Sequence, residues 1–118
     1  MKIQLKRVYS PVEEDDGVRV LVDRVWPRGI SKAKLQADIW LKDAAPSTEL
    51  RKWFGHDQTK WQEFKERYFA ELKDKPEAVN KLLDLGKEQQ VTLLFAAKDY
   101  EYNHAVALRE HLLSRREA

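Results

Sequence analysis

The residues best suited to chemistry in this 118-residue chain gather in two strings. One is Asp23-Arg24-Val25-Trp26-Pro27-Arg28-Gly29; the other is Lys98-Asp99-Tyr100-Glu101-Tyr102-Asn103-His104. Each follows directly on an apolar run. Arg24, Arg28 and Lys98 are cations suited to a phosphate or carboxylate, the arginines through a planar fork of donors. His104 is the candidate for proton transfer, because a helix start disfavours the imidazolium and leaves a neutral ring able to act near neutral pH. Asp23 is the second such candidate. Asn103 would open a helix whose free N–H groups suit an anion. Trp26 offers a flat apolar surface, and Gly29 permits a turn or a close backbone approach. Thr48 and Arg51, beside Ser47 on a short predicted helix start, are candidates for a further anion contact.

Each residue has a plainer reading. Arg24 and Arg28 also suit internal ion pairs with Asp23, Asp38 or Asp43. Trp26-Pro27 suits a core plug followed by a stiff turn. Lys98 and Asp99 suit a solvated loop pair worth little energy. Ser47 or Thr48 suits capping, Arg51 a surface charge, and Asn103 a cap whatever else it does.

Several chemistries are excluded. There is no cysteine, so disulfides, thiolate nucleophiles and cysteine-ligated metals are absent. No phosphate-cradling glycine loop, dinucleotide fingerprint or nucleophile elbow occurs. His104 and His111 fall two helical turns apart, about 10 Å along the axis, too far for one ion. His56 reads as a surface residue. No metal and no cofactor are therefore expected.

The elements that would position these strings are legible from periodicity. Strands are expected at Ile3–Val8, Val18–Asp23 and Val91–Ala97, with an edge piece at 39–41. The last strand is nearly unbroken in its apolar character, which implies burial on both faces under helices. Helices are expected from Ser47 or Thr48 to about Phe54, from Asp57 to about Asp74, from Pro76 onward, and after Asn103. In the last of these, Ala105, Val106, Leu108, Leu112 and Leu113 form the inward face. A long helical crossover between the second and third strands predicts a parallel pair. The connection between the first two strands is shorter than a normal crossover, and its length alone favours a hairpin. The expected fold is α/β, a small and mainly parallel sheet of three or four strands flanked by helices in a three-layer Rossmann-like arrangement. Ligands of such sheets gather beyond the carboxyl ends of the strands, which is where both strings fall.

Composition sets the frame. Hydrophobic residues make up 42% and charged residues 36% of the chain, a balance that suits one folded domain over residues 1–118 rather than disorder. No apolar run is long enough to span a bilayer, and Lys2, Lys6 and Arg7 interrupt any leader-like stretch, so a cytoplasmic location is expected. The net charge of +2 is weak for a committed nucleic-acid binder.

The string Leu21-Val22-Asp23-Arg24-Val25-Trp26-Pro27-Arg28-Gly29 resembles the signature of the YeaO-like family of bacterial and archaeal proteins. The resemblance continues through Pro46–Phe54, Phe64 with Arg67-Tyr68, and Ala97-Lys98 with Asn103-His104-Ala105. It implies a small single-domain cytoplasmic α/β protein, and characteristic positions at Asp23, Arg24, Trp26, Pro27, Arg28, Gly29, Ser47, Thr48, Arg51, Arg67, Tyr68, Lys98, Asn103 and His104. It also implies a first strand parallel to the others, since a helix joins the first two strands in broader relatives. It transfers no reaction.

Three functions fit these observations. The first is an enzyme or binding protein for a small phosphate- or nucleotide-like anion, held by Arg24, Arg28 and Lys98. The second is a structural or adaptor protein, monomeric or a homodimer, using Trp53, Trp61 and Phe69 as an exposed cluster. The third is a nucleic-acid-binding or regulatory module, resting on mild basicity and the Arg115-Arg116 tail.

Overall fold

The computed structural model describes residues 2–116, the Arg116 side chain excepted. Four strands, β1 (Ile3–Arg7), β2 (Val18–Leu21), β3 (Ile39–Trp40) and β4 (Val91–Phe95), form one parallel sheet in the order β1-β4-β2-β3. Every residue of β4 is buried, because it is paired on both edges and covered on both faces. Four of its five residues are apolar and the fifth, Thr92, donates its hydroxyl to the Asp16 carbonyl, so the strand suits a place covered on both faces.

The hairpin favoured by the short first connection does not form. Strand β4 separates β1 from β2, and both run parallel to it. The connection crosses the start of β4 through a 3-10 turn at Glu14–Asp16 and then Gly17. Gly17 has φ +66°, and a Cβ there would lie 2.2 Å from the Gln90 carbonyl oxygen. Only glycine allows this close crossing.

Alternation along the strands gives the sheet two unlike faces. One presents Ile3, Val20, Leu93 and Phe95 to helices α2 (Thr48–Phe54), α3 (Trp61–Lys73), α4 (Pro76–Glu88) and α5 (His104–Arg116). Tyr68 of α3 is buried there and donates to the Ala44 carbonyl. Burial raises its phenol pKa, with Glu71 and Asp23 adding to the effect. On α5 the buried positions are Ala105, Ala107, Leu108, His111 and Leu112. Val106 and Leu113, expected to point inward, are only half-buried, because the inward stripe is centred on 104, 108 and 111 rather than on 106 and 113. Trp53, Trp61 and Phe69 are not an exposed cluster; they are half-buried and pack against this core.

The other face carries Leu21 and Leu94 beside a polar row, Gln4, Thr92 and Arg19, in register. Its cover is thin: the four-residue α1 (Lys32–Leu35), capped by Ser31, and the segment leading to it. Buried Asp16 organises the row. Its carboxylate accepts from Gln4 (3.0 Å), Lys6 (2.8 Å), Arg19 (2.6 Å) and the Glu13 N–H (3.0 Å). Arg19 also donates to the Leu35 and Gln36 carbonyls, which ties α1 to the sheet. Among the described residues no helix is long and apolar enough to cross a membrane.

Candidate functional site

Because β2 and β4 are parallel neighbours, the two chemistry-bearing strings leave the same rim of the sheet side by side. Asp23 ties that rim together. Its Oδ2 accepts from the Ala96 N–H at 3.0 Å, and its carbonyl accepts from the Trp40 indole at 2.8 Å. Arg24 reaches across to the entry of α2, donating to the Pro46 carbonyl at 3.2 Å and more weakly to the Ala45 carbonyl at 3.5 Å. Trp26 donates to the Ile30 carbonyl at 2.8 Å and meets Trp40 edge-on at 5.4 Å. Its ring packs against the cluster of Val8, Leu21, Leu35 and Leu94, and Pro27 is buried. This pair therefore plugs the core while one side of Trp26 faces the rim. Gly29 has φ +74° with open space where a Cβ would project, so it serves the turn and not a close approach. Tyr9, at the end of β1, braces the turn by donating to the Arg28 carbonyl at 2.7 Å.

On the β4 side the loop is built around Asp99. Its Oδ1 accepts from the N–H groups of Glu101 (2.8 Å) and Tyr102 (3.0 Å). The Tyr102 and Glu101 bonds hold its carboxyl below the ordinary value. Asp99 thus shapes the loop, and among the described residues it makes no ion pair with Lys98. Asn103 is buried and caps α5: its Oδ1 accepts from the Val106 N–H at 3.0 Å while its amide donates to the Asp99 carbonyl at 2.8 Å. Tyr102 meets Trp61 of α3 edge-on at 5.4 Å, which fixes the loop against the helical layer. His104 follows, its Nε2 3.1 Å from the Val22 carbonyl and 3.1 Å from Asp23 Oδ1.

The two loops and the α2 segment enclose a cleft of about 540 Å³, within the range of small-molecule sites. Of the residues singled out from sequence, Asp23, Arg24, Trp26, Arg28, Thr48, Arg51, Asn103 and His104 line it. Gly29 and Lys98 do not, and Lys98 is exposed beyond the rim. Ser47, not Thr48, caps α2: its Oγ accepts from the Leu50 N–H at 3.1 Å and donates to Glu71 at 2.5 Å.

The cleft wall also contains residues that sequence reasoning missed: Tyr9, Lys52, His56 and Tyr102 on the sides, with Phe54 and Phe64 among the apolar lining. Phe54 and Phe64 stack at 4.4 Å between centroids. Lys52 could have been found as the neighbour of Arg51 on a helix of only seven residues. His56 carried no such signal. It sits in the left-handed region at φ +58°, an uncommon conformation for a non-glycine residue that is associated with functional segments.

The electrostatics are one-sided. Among the described residues, Arg24, Arg28, Arg51 and Lys52 face the cleft with a single carboxylate, Asp23. Among the described residues none of these four cations has a carboxylate at ion-pair distance. The internal pairs with Asp23, Asp38 or Asp43 do not form. Asp23 bonds Ala96 N–H, and Asp38 accepts from the Arg19 N–H at 2.9 Å.

Comparison with known proteins places this architecture in a family. The chain is 48% identical over 114 residues to the uncharacterized protein YeaO of Escherichia coli (strain K12), covering 97% of this chain and 99% of that protein. It is 41% identical over 114 residues to the uncharacterized proteins Rv3073c of Mycobacterium tuberculosis (strain ATCC 25618 / H37Rv) and Mb3100c of Mycobacterium bovis (strain ATCC BAA-935 / AF2122/97), covering 97% of this chain and 96% of each. No solved structure matches the chain. A family model described as the inactive DUF488-N3 subclade matches residues 2–118. With that match over nearly its whole length, the chain belongs to the inactive DUF488-N3 subclade and, within it, to the YeaO-like proteins.

Proposed function

We propose that this protein binds a small phosphate- or nucleotide-like anion in the cleft at the carboxyl ends of β2 and β4, and that it does so without transforming it. One observation carries the reading: four cationic side chains, Arg24, Arg28, Arg51 and Lys52, line one concave site without a carboxylate partner among the described residues. Leaving several unpaired cations in one recess is unfavourable through their mutual repulsion, and a bound anion relieves it. Arginine donor forks add geometric fit for phosphate. The family's description as inactive favours binding over catalysis. So does the placement of Asp23, whose carboxylate is held by the Ala96 N–H through one oxygen and buried beside His104 through the other.

Thermal denaturation across a panel of phosphorylated compounds tests the proposal. A ligand present at about 100 times its Kd adds about 2.7 kcal/mol of stability. The expected result is an upward shift of Tm with one or more phosphorylated compounds, which fades as salt rises and is lost in the double variant Arg28→Gln/Arg51→Gln. A panel that leaves Tm unmoved at millimolar concentration and low salt rejects the proposal. Retention on DNA or RNA columns at physiological ionic strength would replace it with the nucleic-acid reading. On that reading, the side chain of Arg116 in the Arg115-Arg116 tail lies outside the described residues.

A further inference from the structure

His104 enters the cleft wall from the first turn of α5 with its side chain 14% exposed. Its Nε2 faces two oxygens at the same distance, the Val22 carbonyl and Asp23 Oδ1, each 3.1 Å away. A backbone carbonyl has no proton to give, and an ionised carboxylate only accepts. Nε2 therefore carries the proton. The hydrogen bond goes to Val22, and Asp23 Oδ1, beside the same nitrogen, is a buried oxygen without a hydrogen-bond partner among the described residues. Asp23 cannot swing away, because its second oxygen is held by the Ala96 N–H. The ring is thereby fixed in both orientation and tautomer, a common use of a carboxylate beside a histidine.

With the proton on Nε2, the other nitrogen of the neutral ring is an acceptor. Nδ1 has no protein donor among the described hydrogen bonds, and it is not sealed from solvent. Among the described residues the cleft has one carboxylate, Asp23, with Oδ2 on the Ala96 N–H and Oδ1 buried, and its cations are donors only; besides His104 and the capping Asn103, the side chains there able to accept are Tyr9, Thr48, His56 and Tyr102.

Resting on the reading of the cleft as an anion site, we infer that His104 Nδ1 reads a hydrogen-bond donor carried beside the ligand's anionic group. The ligand class is a phosphate monoester with a hydroxyl close to its phosphate, or hydrogen phosphate itself, which carries the same O–H. Arg28, Arg51 and Lys52 hold the charge, and His104 selects among anions. In this account His104 is a specificity residue and moves no proton.

Two measurements on the intact protein test this. The first is imidazole nitrogen NMR on the unliganded protein at about pH 8, above the ordinary histidine value of about 6.5. The expected result is the Nε2–H tautomer at His104, assigned with His104→Gln. The Nδ1–H tautomer overturns the inference whatever binds. The second is calorimetric titration with glycerol 3-phosphate, propyl phosphate and orthophosphate. A site built for a donor rejects the analogue that lacks it, so glycerol 3-phosphate should bind at least about tenfold more tightly than propyl phosphate. In His104→Phe the two esters should bind within about twofold of each other. Equal binding of the two esters to the native protein, or a preference that survives His104→Phe, overturns the inference. Orthophosphate matching glycerol 3-phosphate, with both losing affinity in His104→Phe, supports it and assigns the donor to the phosphate's own proton. Failure of all three compounds to bind while the Nε2–H tautomer is observed removes the anion site itself, and with it the ligand half of the inference. A His104→Phe variant that does not fold leaves the tautomer and the native ester ratio to decide.

Discussion

Replacing Asp16 by asparagine should destabilise the protein by about 2–3 kcal/mol at neutral pH, and two independent arguments give that figure. Asp16 is 1% exposed and accepts four hydrogen bonds, two of them from Lys6 and Arg19. Breaking a buried charge pair costs about 3–5 kcal/mol when the partner is left alone. Here neither partner is. Arg19 keeps the Leu35 and Gln36 carbonyls, and Lys6 keeps Glu13 and the Pro11 carbonyl. The loss therefore falls at or below the lower end. Proton linkage leads to the same range. Burial pushes the Asp16 carboxyl up, but hydrogen bonds from Lys6, the Glu13 N–H and Arg19 outweigh it and hold it at about 2, against 3.8 ordinarily. That difference corresponds to about 2 kcal/mol. Because the folded value is the lower one, this stability is fully present above pH 3.8 and is lost as pH falls toward 2. Urea unfolding of both proteins at a series of pH values is the assay. The gap between native protein and Asp16→Asn should be about 2–3 kcal/mol at pH 7 and should close in acid. A gap under about 0.5 kcal/mol at pH 7, or one that widens as pH falls, would refute the reasoning.

Other expectations follow from the same geometry. Gly17→Ala should cost about 3 kcal/mol or more, since its Cβ would overlap the Gln90 carbonyl at a positive φ; chemical denaturation reads this directly. Ser47→Ala should cost about 1–2 kcal/mol, because it removes both the α2 cap and the bond to Glu71. His111 is buried against Phe69, and its Nε2 has no partner among the described residues. Burial lowers its pKa, and Arg115 and Lys73 lower it further. The folded value lies below the unfolded one, so stability is highest above about pH 6.5 and falls as pH drops below it. His111→Leu should flatten that part of the Tm–pH curve relative to the native protein; an unchanged slope would show that His111 is not its source.

How much of this was legible in the sequence depends on whether a feature is periodic or relational. The central strand could be read from Val91–Phe95 because a run broken only by Thr92 suits a strand buried on both faces of a parallel sheet. The caps at Ser47 and Asn103 and the start at Pro76 were legible because capping is local. The direction of β1 was not, since connection length favours a hairpin, and the alternative depends on β4, whose Val91 pairs with Ile3 from the far end of the chain, taking the place between β1 and β2. In the site, the two strings at the strand ends were legible as strings. Their partners were not. That Arg24 would bond the Ala45 and Pro46 carbonyls rather than a carboxylate depends on where the loop before α2 passes. His56 and Tyr9 reach the cleft only through tertiary packing, and no spacing rule connects them to Arg24 or His104.

The most direct test of the central claim is amide chemical-shift mapping of the labelled protein during titration with glycerol 3-phosphate at low salt. Saturable shifts concentrated at residues 23–28, 51–56 and 96–104, the three segments that meet at the cleft, are expected. Shifts spread over the Lys and Arg residues of the opposite surface, or none at concentrations of about 10 mM, where even millimolar affinity would saturate the site, would contradict it.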